Sequence, residues 1–389
     1  MTTDLVIKGA TLVDPSAGLF NEKKDVAVSA GKIEEIGDSI SGSNALKVID
    51  ATGLVLTPGF VDIHTHVARD VVRLCIDPDK NCLLKGTTTV ADAGSCGELN
   101  FTPFNDFVIK RSNTRIFAFL NIESLGMLEF VDSPKWNTDQ KWAKFLNSPQ
   151  SSKLFANPEN TKKVIRENRK TIVGIKWAHH TLDLLALARK TADAAPCKVM
   201  AESRLLPESL RYLRRGDIAT HIYHFATHRI AKRHDGITED EEKIHEEVFR
   251  AKKQGIIFDV GHGKGSFSWD VARLALKEEL LPDTISTDLW SGNVGGPVFD
   301  LPTTMAKFLH LGMSLEDVTQ GATSKPASVL GRASEFGSIK PGMRADLVVF
   351  KLQRKKKVLT DSYGKSVVAS QVILPMYVIK DGALVGSPS

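Results

Sequence analysis

Short apolar runs that alternate with polar positions mark both ends of the chain. Near the N-terminus the runs are DLVIKGATLVD, DVAVSAGKIEEIG and ALKVIDATGLVLTPG, and glycines separate them. A similar pattern returns only near the C-terminus, in RADLVVFKL, SVVASQVIL and MYVIKDGALVG. Alternation with a period of two is typical of half-buried β-strands. We therefore predict that residues 1–57 and 338–389 form one small β domain, a β-sandwich to which both termini contribute.

Between these ends, residues 58–337 alternate apolar strands with segments of helical pattern. The predicted strands are, in chain order, GFVDIH, TTTVADAG, IFAFLNI, TIVGIKWA, KVMAES, DIATHIY, IIFDVG and TISTDL. Segments such as VARLALKEELL fit the helices between them. Eight strands that alternate with helices over this length are typical of a TIM barrel. We therefore predict an α/β fold with a (β/α)₈ barrel and functional groups at the C-terminal ends of its strands.

The composition narrows the function classes. No segment approaches the roughly 18 consecutive apolar residues that a membrane span requires. The N-terminus lacks the layout of a signal peptide, and the four cysteines form no CxxC pair, so we expect a cytoplasmic protein. A net charge of +5, from 51 basic and 46 acidic residues spread along the chain, argues against a nucleic-acid partner. We interpret the one basic run, KLQRKKK at 351–357, as a solvated turn.

Two histidines close the first predicted barrel strand. His64 and His66 are two residues apart, so a strand directs both side chains to one face. Two imidazoles on one face can bind one divalent cation, although a hydrogen-bonded pair at a strand end is the alternative.

Other predicted strands also end in groups that can bind a metal or a proton: Lys176, Glu202, His221, His262 and Asp288. A charged side chain at the end of an apolar strand is costly to bury without a partner. The repetition of such residues therefore favours one shared polar site at the barrel mouth.

These motifs closely resemble the amidohydrolase superfamily. The resemblance rests on PGFVDIHTH, GTTTVADAG, a strand-end lysine, a later histidine, an aspartate on the last strand and the closing GSIKPGMRADLVVF, and it covers almost the whole chain. The runs VGIKWA, GDIATHIYH, DVGHGKGSFSWDVA and TISTDL are most similar to dihydroorotase-like deacylases that act on N-acyl amino acids or acyl esters.

The resemblance implies two divalent metal ions, usually zinc, with manganese or iron as alternatives. His64 and His66 would bind the more buried ion together with Asp288, and His221 would bind the more exposed ion. Lys176, carboxylated by CO₂, would bridge the two ions through its carbamate oxygens. Asp288 would also be the catalytic proton shuttle.

The chain departs from the family pattern at the fifth strand. Most relatives with two metals have a histidine there, and the matching position in KVMAES is Glu202. A carboxylate is a competent zinc ligand, so Glu202 fits a retained second metal site. One bound metal, or a degenerate site without catalysis, stays open as an alternative.

Three further residues have weaker assignments. We prefer His221 to His224 as the ligand, because a spacing of three places them on opposite faces of a strand. His262 and Arg204 are candidates for substrate binding. A backbone-bonded loop histidine and a surface ion pair are their respective alternatives.

The sequence therefore predicts a metal-dependent hydrolase that cleaves an amide or ester bond of a small molecule through a metal-bridging hydroxide. An N-acyl amino acid or an acylated hydroxy acid is the first choice of substrate. A cyclic amide, as in dihydroorotase and hydantoinase, is the second, and deamination is the third because deaminases commonly lack the bridging lysine. A non-catalytic binding protein stays open, and so does a homo-oligomer.

Overall fold

The structure is a computed structural model that describes residues 3–127, 154, 156–178, 181–202, 205–224, 236–239 and 242–386. Within these residues the strands are β1 (Thr3–Asp14), β2 (Leu19–Ser29), β3 (Lys32–Gly37), β4 (Ala45–Asp50), β5 (Val55–Pro58), β6 (Phe60–Thr65), β7 (Thr87–Ala93), β8 (Arg115–Asn121), β9 (Ile172–Trp177), β10 (Lys198–Glu202), β11 (Ile218–Thr220), β12 (Thr238–Glu239), β13 (Lys243–Ile244), β14 (Ile257–Phe258), β15 (Leu347–Thr360), β16 (Ser366–Lys380) and β17 (Ala383–Gly386).

The α-helices of the same residues are α1 (Pro78–Asn81), α2 (Phe101–Phe107), α3 (Pro158–Glu167), α4 (Leu182–Ala194), α5 (Glu246–Gln254), α6 (Trp269–Lys277), α7 (Leu301–His310), α8 (Leu315–Gly321) and α9 (Ser324–Val329). Their apolar residues recur at helical spacing, as in α4, which buries Leu184, Leu185, Ala188 and Ala192 on one face. None of these helices has the length and apolarity that a membrane crossing requires.

The two ends of the chain form one sheet with strand order β17-β16-β15-β5-β1-β2-β3, and β4 pairs with β1. The pairs are antiparallel except for β1 with β4 and with β5. Val28 of β2 and Ile379 of β16 lie far apart in this order but belong to one buried cluster, so the sheet curls around its own core. This confirms the predicted β domain from both termini, while its boundaries at 57/58 and 337/338 stay a prediction.

The basic run at 351–357 is part of β15, so its interpretation as a turn is wrong. Lys351 lies opposite Leu374 and Lys357 lies opposite Ala369 across the long hairpin of β15 and β16. The run forms a strand because β16 supplies its hydrogen-bond partners, while its charged side chains remain exposed. The partner residues come from the next strand of the hairpin, so the run itself carries no signal of the pairing.

The middle of the chain forms the predicted barrel. Parallel strands follow the order β6-β7-β8-β9-β10-β11-β14. Residues 284–289 close the ring, because the Val260 amide donates to the Thr284 carbonyl and the His66 amide donates to the Leu289 carbonyl. The C-terminal ends of the strands therefore meet at one edge, which confirms the expected architecture. The polar sequence at 133–159, which is long for a barrel connection, lies outside the described residues except for 154 and 156–159.

Two barrel strands approach each other closely at Gly94, which directly follows β7. Gly94 has a φ of +84°, and a Cβ added there would lie 2.6 Å from Cβ and 2.7 Å from Cγ of Lys176. A side chain at this position therefore meets both a strained backbone and the stem of a fully buried lysine.

We expect Gly94→Ala to lower the free energy of unfolding by about 2 to 4 kcal/mol, because overpacking adds to the cost of a positive φ. Gly342→Ala is the matched control, since Gly342 has a φ of +87° with no atom within 4 Å of the added Cβ. The control isolates the backbone cost, which we expect to be about 1 kcal/mol. Urea unfolding of both variants measures the difference, and equal losses would contradict the contact with Lys176.

Candidate active site

The structure brings together six of the residues that the sequence singled out. His64 belongs to β6 and His66 directly follows it, Lys176 belongs to β9, Glu202 ends β10, His221 directly follows β11, and Asp288 lies in the segment that closes the barrel. Five of them are almost fully buried, and the Asp288 side chain is 14% exposed. Arg204 lies outside the described residues, so its predicted role stays a prediction.

His64, His66 and Asp288 form the tightest group. The Asp288 Oδ1 atom lies 3.0 Å from Nε2 of His66 and 3.6 Å from Nε2 of His64. One donor atom from each of the three side chains lies within 4.8 Å of the other two. Two imidazoles and a carboxylate at this separation can surround one divalent cation.

Lys176, Glu202 and His221 extend the group along the same edge of the barrel. The Lys176 Nζ atom lies 3.3 Å from Nε2 of His64. The Glu202 Oε1 atom lies 3.6 Å from Nε2 of His221, and the rings of His221 and His64 have centroids 4.7 Å apart. These contacts make a continuous cluster of donors from β6, from the three consecutive strands β9, β10 and β11, and from the closing segment.

Hydroxyl groups fix the tautomers of the two paired histidines. The Thr220 hydroxyl donates to Asp259 at 2.6 Å, so its oxygen accepts from Nδ1 of His64 at 2.8 Å. The Ser95 hydroxyl likewise donates to Asp92 at 2.7 Å and accepts from Nδ1 of His66 at 2.9 Å. Both Nε2 atoms therefore carry their lone pair on the side of Asp288, and the one on His64 also lies within hydrogen-bond distance of Lys176 Nζ.

A main-chain carbonyl fixes the tautomer of His221. Its Nδ1 atom donates to the Gly261 carbonyl at 2.6 Å, which leaves the lone pair on Nε2. All three imidazoles of the cluster thus present the atom that a metal ion binds. This buried donor set fits a divalent cation, and the neutral imidazole is the form that binds it.

The backbone is strained where two of these side chains leave it. His221 has a φ of +63° and Asp288 has a φ of +49°, both in the left-handed region that non-glycine residues rarely adopt. The left-handed residue at 221 ends β11 and aims the imidazole across the barrel mouth. The Asp288 amide donates to the His64 carbonyl at 2.7 Å, and the Asn293 side chain holds the Asp288 carbonyl at 2.7 Å. Strain of this kind persists only where surrounding contacts hold it.

Burial dominates the protonation of the cluster. It lowers the pKa of His64 well below its ordinary value, and the nearby charge of Lys176 adds to this effect. Burial also lowers the pKa of the Lys176 amine and raises the pKa of Asp259. Asp62, which accepts from the amides of His64 and Thr287, has its pKa raised to about 7 by burial. Burial thus shifts the pKa of each of these groups toward its uncharged form.

His262 lies beside this cluster and is fully buried. Its Nδ1 atom is 2.9 Å from the Gly263 carbonyl, and its Nε2 atom is 2.5 Å from Nζ of Lys307. Both ring nitrogens therefore have partners within the protein, and a substrate contact through Nε2 would need the Lys307 bond to open. Its predicted role in substrate binding stays a prediction. His224, the residue we preferred less, bonds through Nδ1 to the His221 carbonyl at 3.0 Å.

A cavity of about 350 Å³ lies among the segments that follow two of the strands that carry the cluster. Its lining comes from the segments that follow β9 and β10, namely Thr181, Leu182, Asp183, Leu205 and Glu208. The C-terminal ends of these two strands carry Lys176 and Glu202, so the cavity lies on the face of the barrel where substrates bind in this fold.

The sequence analysis missed the residues that orient the histidines. Asp92 and Asp259 each stand inside an apolar strand segment, TTTVADAG and IIFDVG, and a buried carboxylate there is a detectable signal. Lys307 stands among the apolar residues of α7 in the same way. Thr220 and Ser95 carry no such signal, because hydroxyl residues are common at strand ends.

Comparisons with known proteins place the chain in a family. Residues 156–382, more than half of the chain, match the model of the amidohydrolase family, and residues 47–102 match a second amidohydrolase family model. A deacetylase of Agrobacterium fabrum is 32% identical over 374 residues, which are 93% of this chain and 86% of that protein.

Two crystal structures are similar over nearly the whole chain. An adenine deaminase has a TM-score of 0.85 and 28% identity, and the match covers 98% of this chain and 99% of that one. A dihydroorotase has a TM-score of 0.83 and 29% identity, with 98% and 97% covered. The resemblance found in the motifs is thereby confirmed. The chain belongs to the amidohydrolase family, whose members typically use two metal ions, and is a hydrolase that acts on carbon–nitrogen bonds.

Proposed function

We propose that this hydrolase removes the acyl group from a small linear substrate, an N-acyl amino acid or an acylated hydroxy acid. The observation that carries the proposal is the set of three imidazoles whose Nε2 lone pairs face Asp288, Lys176 and Glu202 across the barrel mouth. The deacetylase of Agrobacterium fabrum supports the acyl class, because it matches the chain over almost its full length.

The donor set suits two metal ions. His64, His66 and Asp288 would hold one, and His221 and Glu202 would contribute to the other. Lys176, carboxylated by CO₂, would contact both, and the neutral amine that burial favours is the form that condenses with CO₂. Bound zinc, manganese or iron would supply the Lewis acidity that activates water and polarises the substrate carbonyl.

Asp288 is the residue we assign to proton transfer. It is the most exposed member of the cluster, and its Oδ1 atom already faces both His64 and His66. A carboxylate in this position can take a proton at one oxygen and release it to the leaving amine or alcohol. Hydrogen bonds from the Asp288 amide to the His64 carbonyl and from the Asn293 side chain to the Asp288 carbonyl hold the backbone that carries this carboxylate.

A cation at the mouth supports a substrate that carries a carboxylate. Lys264 follows Gly263, whose backbone packs on the Asp288 carboxylate, since a Cβ added to Gly263 would lie 2.4 Å from Oδ2. Lys264 is exposed, and its Nζ atom lies 5.9 Å from the ring of Trp290, two residues beyond Asp288. Among the described residues Lys264 has no carboxylate partner, so its charge is available to the carboxylate of an N-acyl amino acid.

Two other hydrolytic substrates remain alternatives. The similarity to a dihydroorotase favours a cyclic amide, since the same donor cluster would serve it. The similarity to an adenine deaminase favours deamination, for which Lys176 and Glu202 would have other roles. A non-catalytic binding protein is the alternative if the cluster binds no metal.

We expect protein prepared without chelator to contain about two equivalents of zinc, manganese or iron. It should hydrolyse N-acyl amino acids or acylated hydroxy acids faster than dihydroorotate, hydantoins or adenine. Lys176→Ala should lose metal and at least about 100-fold in kcat/KM, because it removes the bridging group. Lys253→Ala, at an exposed position of α5, is the matched control.

Metal content by mass spectrometry and initial rates on this substrate panel make the measurement. Protein without metal, or a Lys176→Ala variant with unchanged metal and rate, would contradict the proposed centre. If a cyclic amide or adenine were turned over fastest, the proposed acyl substrate class would be wrong and that compound class would take its place.

Glu202 allows a separate test of the second metal. We expect Glu202→His to keep about two equivalents, because an imidazole can replace the carboxylate as a ligand. Glu202→Gln should lose about one equivalent, because the amide oxygen is a weak zinc ligand. Equal metal content in wild type, Glu202→His and Glu202→Gln would show that Glu202 is not a ligand.

The carboxylate-binding role of Lys264 predicts a difference in KM. For an N-acetyl amino acid, we expect Lys264→Met to raise KM about tenfold, which corresponds to about 1.4 kcal/mol of binding free energy. For the same compound with its carboxylate converted to an amide, KM should not change. Lys277→Met, at an exposed position of α6, is the control. An equal rise for both substrates would exclude recognition of the carboxylate by Lys264.

A further inference from the structure

One loop contacts both His221 and Asp288. Residues 261–266, which we call the glycine loop, follow β14 and contain Gly261, Gly263 and Gly265. The Gly261 carbonyl accepts from Nδ1 of His221, and the Gly263 backbone packs against the Asp288 carboxylate. A shift of this loop would therefore disturb a metal-binding candidate and the proton-transfer candidate together.

Close packing requires glycine at two of these positions. A Cβ on Gly261 would lie 2.3 Å from Oγ1 of Thr220 and 2.7 Å from Nδ1 of His221, and a Cβ on Gly263 would lie 2.4 Å from Asp288. Both glycines also have a positive φ, +47° and +55°. Glycine tolerates both the close contacts and the positive φ values, but a loop rich in glycine can adopt many conformations by itself. Contacts from outside the loop must therefore fix its position.

Lys307 of helix α7 supplies the first of these contacts. Its side chain is fully buried, and its ammonium group donates to Nε2 of His262 at 2.5 Å, to the Thr360 carbonyl at 2.7 Å and to the Pro297 carbonyl at 3.1 Å. These three acceptors match the three hydrogens of the ammonium group. One of them is in the glycine loop, one is in the segment beyond Asp288, and one ends β15.

Lys307 has no carboxylate within ion-pair distance among the described residues, and burial lowers its pKa to about 7. The rings of Phe267 and Trp269 lie 5.5 Å and 5.9 Å from its Nζ atom. A buried charge without an ion pair is costly, and none of the proposed chemistry uses it. Its three hydrogen bonds instead join α7 to the glycine loop, to the segment beyond Asp288 and to the end of β15.

The tip of the terminal hairpin supplies the second contact. Residues 361–365 connect β15 to β16, and we call them the hairpin tip. The Ser362 hydroxyl donates toward the carbonyls of Gly263 and His262, at 3.0 Å and 3.3 Å. The Tyr363 hydroxyl donates to the Gly265 carbonyl at 2.8 Å. The C-terminal sheet thus reaches the active-site end of the barrel and binds the backbone of the glycine loop.

We propose that Lys307 and Ser362 are positioning residues for catalysis, which hold the glycine loop so that it fixes the His221 imidazole and the Asp288 carboxylate. The proposal rests on the proposed roles of His221 and Asp288. On this proposal the hairpin of β15 and β16 maintains the geometry of the active site, although it belongs to the terminal sheet and contributes no group to the reaction.

The test compares Lys307→Met and Ser362→Ala with the control Lys357→Met. Lys357 is an exposed lysine of the same hairpin, and its Nζ atom lies 5.8 Å from the ring of Phe299 and 3.5 Å from Oγ1 of Thr303 in α7. The control therefore removes a contact between the hairpin and α7 that does not involve the glycine loop. For the substrate that wild type turns over, we expect kcat to fall at least about tenfold in Lys307→Met and about threefold in Ser362→Ala. KM for the carboxamide form of the substrate, which does not depend on Lys264 of the same loop, should stay within about twofold, because neither Lys307 nor Ser362 contacts the substrate. Lys357→Met should match wild type.

A second measurement does not depend on turnover or metal. Two-dimensional ¹H–¹⁵N spectra of the imidazoles in chelator-treated protein report the tautomer of His221. We expect the Nδ1–H form in wild type and in Lys357→Met, and a mixture of tautomers in Lys307→Met and Ser362→Ala. Ser362→Ala keeps the test available if Lys307→Met fails to fold, since it removes only one hydroxyl.

The outcomes separate the two proposals. Wild type without activity on any substrate would contradict the proposed function, and the His221 spectra would then decide the positioning role by themselves. A lower melting temperature in the variants with an unchanged His221 tautomer would overturn the proposal, because the contacts would then be structural only. Where wild type is active, an unchanged kcat would also overturn it.

Discussion

The site depends on one constraint, which is that each buried imidazole must place its proton on Nδ1. Thr220 and Ser95 accept that proton at the paired histidines, and the Gly261 carbonyl accepts it at His221. A histidine without such an acceptor could protonate Nε2 instead and could not bind a cation through that atom. The carboxylates of Asp259 and Asp92, which accept from the hydroxyl groups of Thr220 and Ser95, are themselves buried. Further hydrogen bonds from Thr284 and Ser286 to Asp259 offset part of the cost of its burial.

This constraint explains why the outer parts of the molecule matter to the barrel mouth. Gly261 can accept from His221 only if the glycine loop is held in place, and the loop has little rigidity of its own. Helix α7 and the terminal hairpin hold it through Lys307 and Ser362. The terminal sheet therefore does more than pair the two ends of the chain, since its longest hairpin ends at the active site.

The hydrophobic pattern predicted the fold well, because period and length are local properties. All eight predicted barrel strands lie in the ring, and residues 284–289 close it through isolated bridges. The pattern failed at residues 351–357, where charge suggested a turn and the partner strand β16 imposed a strand. Pairing with the second strand of the hairpin overrides the preference of the charged run, and a single run does not reveal its partner.

By itself, the sequence determined the class of the protein and most of the candidate ligands. A costly polar residue at the end of an apolar strand is visible without a structure, as with His64, Lys176 and Asp288. The tertiary structure decided which nitrogen each histidine presents, because that depends on acceptors such as Thr220, which comes from a different strand. It also decided that His262 and Lys307, 45 residues apart, share a hydrogen bond. Contacts across a closed barrel follow from the geometry of the ring, and no local pattern encodes them.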